Sequence, residues 1–145
     1  MKTHLLFPLL LLLLLLTACG TIQPVTMSEL PLFPGAEPME KGQNESADTY
    51  AQLIEQSLTG GTLQGTVKVY RIPTDSRWED IQAFYNTELA KDNWKESLSL
   101  SEETATVKTA GWSRGALNEE QALFLALSSD PISGEAFILV GLFSE

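Results

Sequence analysis

Residues 120–128, EQALFLALS, and 135–143, EAFILVGLF, are two apolar runs separated by Ser129-Asp130-Pro131-Ile132-Ser133-Gly134. A Pro and a Gly in so short a spacer predict a hairpin loop. A short loop makes consecutive strands antiparallel. Both runs are apolar on both faces. Strands of this kind are central in a sheet or need cover on two sides.

The remaining elements are read around this pair. Residues 104–113, TATVKTAGWS, are rich in Thr and Val and predict a strand, with Arg114 to Glu119 as the next loop. Residues 66–72, TVKVYRI, alternate and stop at Pro73, and residues 94–100, WKESLSL, alternate weakly. Residues 76–92 predict the principal helix. Trp78, Ile81, Phe84, Tyr85 and Leu89 make an apolar stripe near a 3.6-residue period. Ser76 and Glu79 have capping-box spacing, Asn93 suits a left-handed terminator, and Lys91 suits the negative end of the helix dipole. Residues 46–58 carry Tyr50, Leu53, Ile54 and Leu58 at helical spacing before Gly60-Gly61. Their sparse apolar content predicts a short, loosely docked helix.

The expected fold is α+β: one antiparallel sheet of four to five strands, with the principal helix on one face. One helix does not cover such a sheet completely. The second face is then covered by the 30–58 segment or by another molecule.

The N-terminus gives an address. Met1-Lys2-Thr3-His4 precedes LLFPLLLLLLLLTACG, in which only Phe7 and Pro8 interrupt the leucines from Leu5 to Leu16. A spanning helix needs about 20 apolar residues, so the run is too short and reads as a secretory leader. Leu16-Thr17-Ala18-Cys19 resembles a bacterial lipobox. That resemblance implies removal of residues 1–18, a diacylglyceryl group on the Cys19 sulfur, and an acylated (palmitate-type) new N-terminus. It accounts for the chain's one cysteine, which has no partner for a disulfide. Each buried methylene contributes about 0.8 kcal/mol, so two or three acyl chains give a lasting membrane anchor. The implied site is the cell membrane or an outer membrane, on the extracytoplasmic side. Gly20 follows the cysteine, where an Asp would resemble an inner-membrane retention signal.

Removing the leader takes Lys2 and the only histidine, His4, and leaves eight Lys and Arg against nineteen Asp and Glu. So acidic a chain repels nucleic acid and anionic headgroups, and a nucleic-acid function is excluded. Without imidazole or free thiol, Ser-His-Asp and Cys-His catalysis are excluded, and zinc or most transition metals lack their usual ligands. No phosphate-binding glycine motif is present. The chain is expected to be no enzyme and to use no cofactor. Residues 19–29 read as a flexible tether, with Pro24 in it, and residues 30–145 as one domain. Leu30-Pro31-Leu32-Phe33-Pro34 is too apolar for a linker and is expected to pack on the domain edge.

LPLFPGAEP at 30–38 and YRIPTDSRWEDIQAFYNTELAKDNW at 70–94 together resemble a loose group of small bacterial lipoprotein and secreted domains. The shared features are a P-G-A turn (Pro34, Gly35, Ala36) and a helix ending F-Y-x-x-x-L before an N-W pair (Phe84, Tyr85, Leu89, Asn93, Trp94). The resemblance supports the fold and boundary and implies no catalytic residue.

Few residues invite chemistry. Asp75, Glu79 and Asp80 complement the dipole of the helix they precede or open. Glu102-Glu103 and Glu119-Glu120 read as solvated turns between strands. Lys68, Arg71, Lys108 and Arg114 read as cross-strand partners for acids. Trp78, Trp94, Trp112, Tyr70 and Tyr85 are the material for an aromatic cleft taking a sugar or apolar ligand, with Trp112 the expected exposed aromatic. The candidate contacts with a ligand or partner are Trp94, Trp112, Tyr70 and Arg114. The expected function is a membrane-anchored binding or accessory module for another envelope or secreted protein. The alternatives are a small-ligand lipoprotein using the aromatic cleft and a carboxylate-dependent hydrolase. The hydrolase needs two carboxylates facing each other across a cleft.

Overall fold

A computed structural model describes residues 23–59, 63–104, 107–115 and 120–144. The leader and Cys19 lie outside the described residues. The strands are β1 (Glu37–Pro38), β2 (Gln64–Arg71), β3 (Lys95–Glu96), β4 (Glu102–Glu103), β5 (Lys108–Arg114), β6 (Gln121–Ser129) and β7 (Ala136–Ser144). The helices are α1 (Glu45–Thr59) and α2 (Trp78–Ala90), with 3-10 turns at Met27–Glu29 and Leu98–Leu100.

The class is α+β with one antiparallel sheet, but the sheet has seven strands in the order β1-β2-β7-β6-β5-β3, β4 also pairing β5. The excess over the expected four to five comes from three two-residue strands. The expected 94–100 strand is reduced to β3, and β4 follows just beyond it. β3 and β4 both pair along one edge of β5, and the Leu98–Leu100 turn interrupts them. The two apolar runs form the β6–β7 hairpin, in register from Gln121↔Ser144 to Ser129↔Ala136. They are central, with β2 on the other side of β7 and β5 on the other side of β6.

Alternation along β7 divides the core. Ile138 and Val140 join the cluster under α2, with Ile72, Trp112, Leu123, Leu125, Ile81, Tyr85 and Leu89. Phe137 and Leu139 join the cluster under α1, with Ala126, Ala47 and the flanking Tyr50, Ile54, Val67 and Val69. Successive side chains on a strand point to opposite faces, so the two helices lie on opposite faces of the sheet. The expectation of one principal helix is corrected here. α1 is the longer helix, with 15 residues against 13.

α2 starts one residue later than its capping box predicts. Pro73 closes a turn in which the Ser76 N–H donates to the Pro73 carbonyl at 3.0 Å. This turn takes Ser76 out of the cap position, and Arg77 occupies it without a side-chain cap bond. The start is held instead by Arg77 donating to both Asp80 oxygens, at 2.9 and 2.8 Å. Asn93 takes the left-handed conformation at φ 62°, as its place after the helix predicts.

The N-terminal segment belongs to the domain earlier than expected. Val25 and Met27, in the stretch read as tether, pack against the α2-side core with Leu30 and Phe33. Phe33 meets Phe84 edge to face at 5.6 Å. The apolar residues at 25, 27, 30 and 33 bury together where Pro24, Pro31 and Pro34 preclude regular structure.

Candidate functional site

The residues proposed from sequence for an aromatic cleft do not form one. Trp112 is 1% exposed, a correction to its reading as the exposed aromatic, and Trp94 is 5% exposed. α2 covers the strand end where Trp112 sits, and its Asn86 carbonyl accepts from the Trp112 indole N–H at 2.7 Å. Tyr85 and Trp112 rings lie 6.0 Å apart within the core. The Tyr85 hydroxyl is buried beside the Phe33 backbone, and burial raises its pKa. Tyr70 is partly buried against the same cluster, and burial raises its pKa too. The Arg114 guanidinium stacks 5.5 Å from the Trp94 ring centroid and donates to the Gln23 carbonyl at 3.1 Å. The four residues are packing and N-terminal docking elements of the α2 side.

Two of the four basic strand residues, Lys108 and Arg71, pair with acids. Lys108 pairs with Glu103 at 2.7 Å, and Arg71 pairs with Glu135 and, at 3.9 Å, with Glu37. Among the described residues no group of three or more His, Cys, Asp or Glu side chains is placed to hold a metal ion. No helix among them is long and apolar enough to cross a membrane.

The concave apolar feature lies on the opposite face. α1 rests on β2 and β7. A helix about 10 Å across covers about two strands at their 4.8 Å spacing. β6 and β5 therefore keep part of this face open. The result is a trough of about 340 Å³ walled by Tyr50, Leu53, Ile54 and Ser57 of α1. These residues stand at i, i+3, i+4 and i+7, one stripe of the helix. The floor is Phe124 and Ala126 of β6, Leu139 of β7 and Thr109 of β5, and Val107 and Ser128 complete the rim. Leu53 is 53% exposed there. Toward the sheet edge Leu100 sits on Gly111, where a Cβ would approach it to 2.3 Å.

A polar network fixes the wall. Asn44 caps α1, its Oδ1 accepting from the Ala47 N–H at 2.9 Å. Its Nδ2 donates to Glu135 at 3.0 Å and to Asp130 at 3.3 Å, in and beside the β6–β7 loop. The Ile132 N–H and the Ser133 hydroxyl hold the Asp130 carboxyl below the usual carboxylate range. Arg71, then Asn44, does the same for Glu135. Both are carboxylates at neutral pH. The pair therefore lacks the protonated acid that glycoside hydrolysis requires, and its bonds tie α1 to the sheet. A larger cleft of about 440 Å³ between α1 and β2 is lined by four acids, Glu40, Glu45, Asp48 and Glu55, and two bases, Lys41 and Lys68, together with Tyr70 and Met39.

Comparison with protein-family models, curated proteins and solved structures finds no match to this chain. The trough was missed in the sequence because its lining comes from four separated segments. The available signal was the two-sided apolar character of 120–128 beside a helix too narrow to cover it.

Proposed function

We propose that this chain is a bacterial lipoprotein, anchored through a lipid on Cys19 and facing the extracytoplasmic side of its membrane. Its domain binds another envelope or secreted protein and catalyses no reaction. The observation that carries this reading is the apolar trough beside α1. It is one helix-width of open sheet with a ready wall. An amphipathic helix of the partner, with apolar anchors at i, i+3, i+4 and i+7, matches that shape. A sugar is a poorer match. It needs convergent polar groups, and the Thr109 hydroxyl is already donated to the Leu100 carbonyl at 3.1 Å. The chain's own lipid is also poorly situated. Val25 and Met27 pack on the α2 side, away from the trough.

The test is a photoreactive residue in place of Leu53, activated in living cells, with Ala83 on the exposed side of α2 as the control position. The expected product is one protein adduct from position 53 and none from 83, abolished by Val107→Lys at the trough rim. Adducts with a small apolar molecule, or none at all, overturn the reading.

A further inference from the structure

The first described residues determine where the chain leaves the domain. The Gln23 carbonyl accepts from Arg114 Nη2 at 3.1 Å. The Val25 N–H donates to Gln121 Oε1, and Gln121 Nε2 donates to the Val25 carbonyl, both at 2.9 Å. Arg114 and Gln121 pair at one end of the sheet, the end that also carries Ser144 and Gln64. From Cys19 to Gln23 the extended chain spans at most about 14 Å. The β6–β7 loop is at the other end of the nine-residue β6, about 30 Å away at 3.3 Å per residue.

Resting on the lipoprotein reading, we propose that the sheet end marked by Arg114, Gln121 and Lys95 abuts the lipid headgroups and that the 130–135 loop points away from them. Reach, not charge, sets this pose, because both ends mix the two signs. At the near end Lys91, Lys95 and Arg114 stand beside Glu88, Glu96 and Glu29. Toward the far end Glu37 and Glu135 pair with Arg71, Asp80 with Arg77 and Glu103 with Lys108. An eleven-residue coil, as the sequence alone suggested, would leave any face free to turn toward the membrane. The shorter reach removes that freedom. It also sets the height of the trough. Phe124 and Ser128 lie three and seven residues along β6 from Gln121, about 10 and 23 Å above the membrane-facing end. A partner seated there is itself at the membrane surface.

The test uses the full lipidated chain in vesicles of phosphatidylethanolamine and phosphatidylglycerol. Single-cysteine variants Lys95→Cys and Ile132→Cys carry a maleimide fluorophore, Cys19 being blocked by its lipid. Both positions are exposed, Ile132 at 95%. Nitroxide-labelled headgroups are the quencher. Quenching several-fold stronger at position 95 than at 132 is the expected result. Equal quenching, or stronger quenching at 132, overturns the pose. Insertion of about ten Gly and Ser residues after Gly20 lengthens the reach by a coil of about 18 Å and is expected to erase the contrast. A contrast that survives the insertion also overturns the proposal. Intact mass separates the two levels: an unacylated Cys19 overturns the lipoprotein reading and this pose together, whereas an acylated chain with equal quenching overturns the pose alone.

Discussion

Phe143 lies over two glycines. A Cβ on Gly65, its cross-strand partner, would stand 2.0 Å from Phe143 Cδ1, and one on Gly141 would stand 2.5 Å from Cε2. Neither glycine has a positive φ, so the requirement is space for the ring. Gly65→Ala is therefore expected to cost about 1–3 kcal/mol in urea unfolding, the range for overpacking. Phe143→Leu in the same chain should return part of that loss. A neutral Gly65→Ala would mean that the ring moves aside freely. Asn86 is the second such position. Asn86→Ala leaves the buried Trp112 indole N–H without its acceptor, and a loss of about 1–3 kcal/mol is expected in the same measurement. The residue types were legible here and their surroundings were not. Gly111 beside Trp112 reads as a strand end open to solvent. The molecule fills that space with Leu100 on one face and α2 on the other.

The helices contrast in how they are held. α2 is legible because its own stripe supplies the attachment: Trp78, Ile81, Tyr85 and Leu89 are all buried. α1 has a thinner stripe and reads as loosely docked. Its attachment is polar and distant, from Asn44 to residues 86 and 91 positions away, and no local pattern encodes such a bond. Asn44→Ala removes the cap and the bonds to both carboxylates, and about 1–2 kcal/mol of lost stability is expected from the cap alone. The pH dependence has a definite sign. Asp130 and Glu135 are held below the usual carboxylate range in the folded chain. Their stabilisation is complete above about pH 4, where the same groups ionise in the unfolded chain, and is lost as pH falls through the depressed folded values. Amide exchange in α1 should therefore rise below about pH 4 while α2 stays protected beyond its first turn, where Arg77 holds Asp80 below the usual carboxylate range as well. Simultaneous loosening of α1 and the buried body of α2 would contradict the assignment of the network to α1.

At the scale of the molecule, the antiparallel sheet and its central hairpin were legible because short loops and two-sided apolar runs are local facts. The place of β2 was not. Strand pairing over long separations leaves no periodic mark, so the sheet order emerged only from the fold, which also selects the 30–58 segment, one of the two expected covers, for the second face. The exposed wall of the trough belongs to this scale too. Leu53→Glu should leave unfolding within about 0.5 kcal/mol of the parent, as for surface positions generally. It should nevertheless abolish a partner adduct formed through a photoreactive residue at Ser57. Retention of the adduct would exclude the trough as the contact.

β2 pairs with β7 from Gln64↔Ser144 to Arg71↔Phe137, across more than sixty intervening residues. α1 takes its floor from both of these strands. Neither the helix nor the inner half of the sheet has a stable seat until β7 has been made and has arrived. A chain emerging N-terminus first thus holds its apolar α1 stripe without shelter until β7 emerges. Its folding begins in earnest with β7, at the slow pace of non-local β pairing.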